Sequence, residues 1–428
     1  MLERQANTAN PSGLIAKVRD FFGLERNILV LCTTGILLNL GRNVYGPFLP
    51  LYFQSLDVSF ALLGGIFSIL AIASAFITVP GGHFADRFGR KNITVLGSAM
   101  LAVSILLLYW IGWWPLAVGC LIVASFGVDI YRPATYAMIV ESVPADRRAT
   151  AFSTMGLIAF SGALIAPILG GYLSLGGDYR ILFLVGSVFL FLMTLFRQLF
   201  LRETKARKKP STDAEKSEEA KELSFAEKLR MTWNSGISTR AYLIFGVASA
   251  LGGTMANPYF AAFYNQILML DQLQLGLLTT ASLITTMIFQ LPGGKVADKI
   301  GRKPLFLLSI ISSPLTLFAI TQATDFIQLV AIQLVSGVIG GISMGASITL
   351  PTELVSEEYR ATALGVFNTT SQLAGAIGPS IGGLFILYYP FFTFPRHIFY
   401  VTILAQIPSI ILFAAFVKET LKTKPKSD

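Results

Sequence analysis

Apolar runs of bilayer-crossing length recur along the whole chain, and that feature settles the fold class first. Twelve are read, roughly at 27–54, 60–80, 93–110, 116–141, 149–173 and 180–201, then at 241–268, 274–292, 305–323, 326–352, 361–388 and 396–416. Most approach or exceed the ~20 residues that a helix needs to cross the hydrocarbon core. A backbone in lipid must satisfy its own amides, and helices do so within one segment. Of the 428 residues, 54% are hydrophobic and 13% charged, roughly half the charged share of a soluble domain. The prediction is an all-α, multi-pass membrane protein with twelve transmembrane helices.

The linkers alternate in charge. Arg87, Arg90 and Lys91, then Arg147 and Arg148, then Lys295, Lys299, Arg302 and Lys303, then Arg360, then Lys418, Lys422, Lys424 and Lys426 fall on one side. The opposite loops at 55–59, 111–115, 269–273 and 324–325 hold no Lys or Arg, with Arg180 and Arg396 as the exceptions on that side. Basic loops stay on the cytoplasmic face, so both termini are expected there, in a plasma membrane. The same rule accounts for the net charge of +9 without nucleic acid as a partner. Cys32 and Cys120 lie inside apolar runs, a pattern that gives neither a disulfide nor a metal site. No cleavable leader is read in residues 1–26. Leu14, Val18 and Phe21, with Lys17 and Arg19, fit a surface-lying amphipathic helix there, and a solvated tail equally.

A polar segment from Arg202 to about Ser224 divides the spans into two sets of six. Its composition is that of a flexible linker. Ser224-Phe225-Ala226-Glu227 fits a capping box. Phe225, Leu229 and Trp233 then share a face, which predicts a short amphipathic helix on the inner surface, in reach of anionic lipid headgroups. The organisation is therefore an N-terminal segment (1–26), a first bundle (27–201), a linker with its short helix (202–240), a second bundle (241–416) and a tail (417–428).

The two sets are copies. Val79-Pro80-Gly81-Gly82-His83-Phe84-Ala85-Asp86-Arg87-Phe88-Gly89-Arg90-Lys91 returns as Leu291-Pro292-Gly293-Gly294-Lys295-Val296-Ala297-Asp298-Lys299-Ile300-Gly301-Arg302-Lys303, 212 positions later. The same offset pairs Gly64 with Gly276, Glu141 with Glu353, Arg148-Ala149-Thr150-Ala151 with Arg360-Ala361-Thr362-Ala363, Pro167 with Pro379, and Gly170-Gly171 with Gly382-Gly383. Pro47 and Pro258 pair at 211. An even number of spans per copy makes the repeat parallel, about an axis along the membrane normal, as in transporters with a midplane site. Each charged, glycine-rich link reads as a tight turn in water, and its Pro-Gly-Gly is expected to end the preceding helix.

Gly82-x-x-x-Asp86-Arg87-x-Gly89-Arg90-Lys91 resembles the signature loop of the major facilitator superfamily of secondary transporters. With its second copy at Gly294, Asp298, Gly301 and Arg302, the chain is identified as a member over essentially its whole length, and as drug/proton antiporter-like. The resemblance implies two six-helix bundles working by alternating access. It also implies that Asp86 and Asp298 latch onto helix starts in the opposite half, at Arg360–Ala363 and Arg148–Ala151. Such a contact is worth about 0.3–2 kcal/mol, enough to bias two states without locking one. Glu141 with Arg148 and Glu353 with Arg360, joined by Arg90 and Arg302, would form one three-charge cluster per half, as in sugar-porter-like members. The alternative is solvated charge of little energetic weight. In the fifth span Gly156, Gly162, Ala166-Pro167 and Gly170-Gly171 are similar to the family's antiporter motif, with Ala166 where glycine is usual. Gly375, Gly378-Pro379 and Gly382-Gly383 repeat it in the eleventh. Close helix packing explains both runs equally well, and also Gly337, Gly341 and Gly345.

Three ionisable residues are read mid-span: Arg42, Asp129 and Arg132. Arg42 stands about fifteen residues into its helix, near 22 Å of rise, where charge is costly unless paired or wet. Asp129 and Arg132 share a helix face. The resemblance places the first and fourth spans on the central cavity. Asn39, Arg42, Asn43, Asp129, Tyr131 and Arg132 are thus candidate substrate ligands, with Asp129 the proton-coupling acid. The alternative is a structural ion pair. The second half offers neutral groups: Asn257, Tyr259, Tyr264, Gln333, Asn368 and Gln372. One acid against two arginines suggests an anionic group on the substrate or an acid held ionised. The aromatic wall suits an amphiphile.

The expected function is proton-driven export of drug-like or amphiphilic small molecules by a monomer, with no cofactor beyond the proton gradient. Uptake of an organic anion or sugar is the alternative, and a non-transporting receptor a further one. An enzyme is disfavoured: His83 and His397 fall on opposite sides, and no nucleophile–base or metal set is present. No phosphate-binding Gly-Lys-Ser/Thr loop supports an ATP-driven pump.

Overall fold

The structure is a computed structural model that describes residues 26–143, 148–204, 224–356, 359–388 and 396–419, and within them the side chains at 76–86, 148–153, 298 and 361 lie outside the description. The expectations for the N-terminal segment, for the basic linker, for Gly82, for the latches at Asp86 and Asp298, and for the Arg148 ion pair fall outside the described residues.

The chain is all-α among the described residues. Its long helices are α1 (Arg26–Tyr45), α2 (Phe60–Phe88), α3 (Arg90–Leu107), α4 (Trp114–Ser142), α5 (Arg148–Leu173) and α6 (Arg180–Phe200). The short α7 (Phe225–Asn234) precedes α8 (Ile237–Thr254), α9 (Gln272–Ile300), α10 (Arg302–Gln322), α11 (Phe326–Glu353), α12 (Arg360–Tyr388) and α13 (Arg396–Phe416). Ten of the described segments are long and apolar enough to cross a membrane. α2 and α8 are not among the ten: α2 counts only through its Phe60–Ala75 stretch, and α8 carries Arg240 and three glycines within its 18 residues.

Two expected spans are broken rather than continuous. The first leaves α1 through a 3-10 turn at Gly46–Phe48 and resumes as a short helix at Leu49–Gln54. The seventh does the same at Asn257–Tyr259 and then widens into a π turn at Phe263–Ile267. Pro47, Pro50 and Pro258 each remove a backbone donor there.

Pro-Gly-Gly does not end α2 or α9, contrary to the sequence expectation. Both helices run on through it to Phe88 and Ile300. They stop at Gly89 and Gly301, whose φ angles of +91° and +109° only glycine adopts freely. Within a packed membrane bundle the lost proline bond is tolerated. Gly293 serves packing instead: a Cβ there would meet the backbone of Ile342 in α11. At the opposite ends the starts are capped by side chains. Asp271 accepts from the Gln274 amide at 2.7 Å and Asp325 from that of Gln328 at 2.9 Å.

The repeat is visible in the packing. α1 packs on α5 and α6, α4 on α2 and α3, and α3 on α6; α8 packs on α12 and α13, α11 on α9 and α10, and α10 on α13. Two seams join the sets, α2 with α12 and α5 with α9. Each seam is tight at a repeat-related glycine: a methyl on Gly64 would overlap the carbonyl of Pro379, and one on Gly276 that of Pro167. The Ser380 amide donates to Ser68 Oγ at 2.9 Å, and Thr280 Oγ1 donates to the Leu164 carbonyl at 2.9 Å. These contacts lie toward the helix ends away from Gly89 and Gly301. Tyr52, Phe53, Tyr259 and Phe263, all fully buried, pack the same end.

Candidate functional site

α1, α2, α3 and α4 line a cavity of about 460 Å³ whose walls include Asn39, Arg42, Asn43, Ser74, Asp129 and Arg132. The charged side chains read from the sequence thus come together. Asp129 is 2% exposed. Its Oδ2 accepts a short hydrogen bond from the Ser74 hydroxyl, and its Oδ1 lies 3.4 Å from Arg132 Nη2. The i,i+3 spacing on α4 supplies the pair, and α2 adds the hydroxyl. Ser74 was not read from the sequence; a single serine in an apolar run carries no signal until its neighbour is known. Asn39 and Asn43 donate to the carbonyls of Gly35 and Asn39 at 3.0 and 2.9 Å. Their side-chain oxygens remain as acceptors.

Tyr131 goes elsewhere. It is buried under Arg197, whose guanidinium lies 4.6 Å from its ring centre. Arg197 is itself 2% exposed. It donates to Ser98 Oγ at 2.6 Å and to Thr34 Oγ1 at 3.3 Å. The sequence analysis passed over this arginine because it sits in the last turn of α6, beside the basic linker.

α8, α9, α10, α11 and α13 enclose a second cavity of about 560 Å³, lined in part by Asn257, Tyr264 and Gln333. Gln333 Nε2 donates to the Tyr264 hydroxyl at 3.3 Å. Tyr259 lines neither cavity; its ring packs on Gly382 and its hydroxyl lies beside Gly64, in the seam. Gln372 and Asn368 are exposed and line neither cavity.

At the basic ends the two charged corners match. Arg90 lies 2.6 Å from Glu141, and Arg302 lies 3.1 Å from Glu353. Arg360 opens α12 and is partly buried, while Arg87 is exposed with its guanidinium 5.5 Å from the Phe88 ring centre. A further acid joins each corner. Glu203 accepts from the backbone amides of Arg90 and Lys91 at 3.1 and 3.0 Å. Glu419 accepts from those of Arg302 and Lys303 at 3.1 and 3.0 Å. Each acid holds the start of a helix whose amides lack partners, and the N-terminal dipole favours it. The signal was present: Arg202-Glu203-Thr204 and Lys418-Glu419-Thr420 follow the last span of each set.

Four glycines of the fifth and eleventh spans are packing positions in this structure, while Gly156 has open space around it. Gly162 and Gly170 meet the backbone of α1 at Ile36 and Val44, and Gly378 and Gly382 meet that of Leu251 and Met255.

A sequence pattern for the Major Facilitator Superfamily matches residues 31–251 and 242–428. Among curated proteins, the "Multidrug resistance protein MdtG" of Salmonella arizonae is 27% identical over 371 residues, covering 82% of this chain and 83% of that protein. The protein of the same name from Enterobacter lignolyticus is 26% identical over 409 residues, covering 91% of each. Among solved structures, a point-mutant form of the nucleoside transporter NupG superposes with a TM-score of 0.73 at 16% identity, covering 91% of this chain and all of that one. A D-xylose-proton symporter superposes at 0.71 and 17%, covering 92% and 98%. A chain matched almost end to end by one family's pattern belongs to that family: this is a multi-pass membrane transporter of the Major Facilitator Superfamily, not an enzyme.

Proposed function

We propose that the protein is a secondary active exporter of drug-like, amphiphilic small molecules, driven by protons entering through a plasma membrane, with both termini cytoplasmic. The observation that carries this reading is Asp129: a buried carboxylate, midway along α4, lining a cavity and held by Ser74 and Arg132. The similarity to multidrug resistance proteins over most of the chain supports drug-like substrates.

Ionised Asp129 accepts from Ser74 and Arg132. A substrate that brings a cationic or donor group into the cavity takes over one of those bonds. Protonation removes the negative acceptor, so proton and substrate exclude one another, which is what exchange requires. The seam contacts hold the two sets together away from Gly89 and Gly301, which supports a state open toward the basic turns. Rocking of the two sets then opens the seams and closes the charged corners.

The test uses inverted vesicles with an acidic interior and a panel of amphiphilic dyes. The wild type accumulates at least one dye; Asp129→Asn binds it without accumulating it. Full gradient-driven accumulation by Asp129→Asn removes the proton role.

The arginine surplus favours a second reading. Arg42 and Arg132 face one carboxylate in this cavity, which attracts an organic anion. Protonating Asp129 then releases Arg132 for the substrate, so proton and anion bind together and travel together, as in uptake. Binding at two pH values separates the readings: acid weakens binding under exchange and strengthens it under co-transport.

A further inference from the structure

The second cavity is the repeat image of the first. Leu121 and Gln333, Ala124 and Ser336, Leu101 and Ser313, and Leu70 and Ser282 are pairs 212 positions apart that line the two cavities. Arg42 and Gly253, 211 apart, do the same. At these positions the chemistry inverts. The first cavity has an arginine where the second has glycine, and aliphatic side chains where the second has hydroxyls and an amide. Among the described residues, no acidic, basic or histidine side chain lines the second cavity.

Its polar groups are oriented. Ser309 donates to the Phe306 carbonyl at 2.8 Å, Ser312 to that of Ser309 at 2.8 Å, and Ser313 to Gln406 Oε1 at 3.0 Å. With their protons engaged, these hydroxyls offer lone pairs. Gln406, with Oε1 engaged, offers its amide N–H groups. Thr402 also lines the cavity, with its hydroxyl oxygen buried away from it.

We propose that this cavity binds an uncharged, hydroxyl-rich group, a polyol or glycosyl moiety. Such a group supplies the donors that the serines lack and accepts from Gln406. Its C–H faces fit the rings of Phe260 and Tyr264, which also line the space. An anion finds no cation among the described lining residues, and a purely apolar group leaves the Gln406 amide without an acceptor. The proposal stands on the second cavity alone and not on the proton chemistry of Asp129.

Phenyl β-glucoside is the probe and phenol its sugar-free control, titrated into full-length protein purified in a detergent without a sugar headgroup. Thermal stabilisation and calorimetry report binding. The glucoside binds saturably and phenol does not. Combining Ser336→Ala with Gln406→Leu weakens glucoside binding about tenfold, the loss of one to two hydrogen bonds. The wild-type affinity is the same in mildly acid and neutral buffer, because no described residue that titrates there lines the cavity. Ser336→Ala with Gln333→Leu, which installs the residues of the first half, serves if the Gln406 variant does not fold. Absence of saturable binding, equal binding of phenol, or unchanged affinity in the folded variant overturns the proposal. The readout is binding, so a failure of proton-driven transport leaves it unaffected.

Discussion

Gln266 donates from Nε2 to Gln54 Oε1 at 3.1 Å, and the two residues stand at matching ends of the first span of each set. A contact between matching ends places the pseudo-twofold axis between them, at the closed end of the seams. Any motion that opens that end must break this bond. Cysteines at both positions are expected to form a disulfide under mild oxidation, and transport then stops and returns with reductant. Undiminished transport by a fully cross-linked sample excludes opening at this end.

The seams on either side of that axis have no room for a side chain. Gly64→Val is expected to push α2 from α12, and Gly276→Val to push α9 from α5, because each would meet a carbonyl rather than a movable side chain. Overpacking of this kind costs about 1–3 kcal/mol. Both variants should melt earlier than wild type and label faster with a thiol reagent at Gln54→Cys. Unchanged labelling would mean that the seam tolerates the methyl groups by local adjustment.

Each charged corner is held by an acid from the end of its own set. Replacing Glu203 by Gln removes the negative charge from the start of α3, and Glu419→Gln does the same at α10. The expected cost is about 0.5–1 kcal/mol for each, the usual worth of a charge at a helix N-terminus. The two corners share no residue, so the double variant should show the sum, within about 0.5 kcal/mol. Thermal melts of the four proteins check this.

Much of the architecture was legible because period and charge act locally. The apolar runs, the loop asymmetry and the 212-residue offset needed no knowledge of neighbours. Asp129, Arg132 and Arg42 were legible too, since charge in an apolar run is conspicuous. What escaped depended on partners. Ser74 matters only because α2 packs on α4. Gln406 matters only because α13 faces the second cavity. The Pro-Gly-Gly reading failed for a related reason: glycine signals a chain end or a close neighbour equally, and only the packing of Gly293 on Ile342 tells which. Tyr259 read as a cavity residue, yet it ends the 3-10 turn at Asn257–Tyr259 and its ring lies in the seam.

The surface helix α7 carries a pH dependence with a definite sign. The backbone amide of Ser224 donates to Glu227 Oε2 at 2.7 Å, while Ser224 Oγ accepts from the Glu227 amide at 3.3 Å. The bond from the Ser224 backbone, then that with its side chain, holds the Glu227 carboxyl below its usual value. A depressed carboxyl stabilises the helix above the unfolded value, and this contribution is lost as pH falls through the folded one. Hydrogen exchange of the α7 amides should therefore accelerate in acid beyond its intrinsic rate change. Glu227→Gln should be loose at all pH values and lack that extra step. A wild type with no such step would show that the box does not hold the helix.

Arg197 gives the sharpest test of what a buried charge does in this fold. Its two acceptors do not depend on it for their own protons: Ser98 Oγ donates to the Thr94 carbonyl at 2.6 Å and Thr34 Oγ1 to that of Leu31 at 3.3 Å. Replacement by Met fills a similar volume, leaves both hydroxyls bonded to backbone, and removes the cost of a dehydrated cation. Replacement by Lys keeps the charge but loses the flat stack on Tyr131 and the forked reach to Ser98 and Thr34. Arg197→Met should therefore lie within about 1.5 kcal/mol of wild type, and Arg197→Lys should fall several kcal/mol below it. Melting of the purified variants checks the order. If Lys keeps the stability and Met loses it, the positive charge itself is required at this point of the first set.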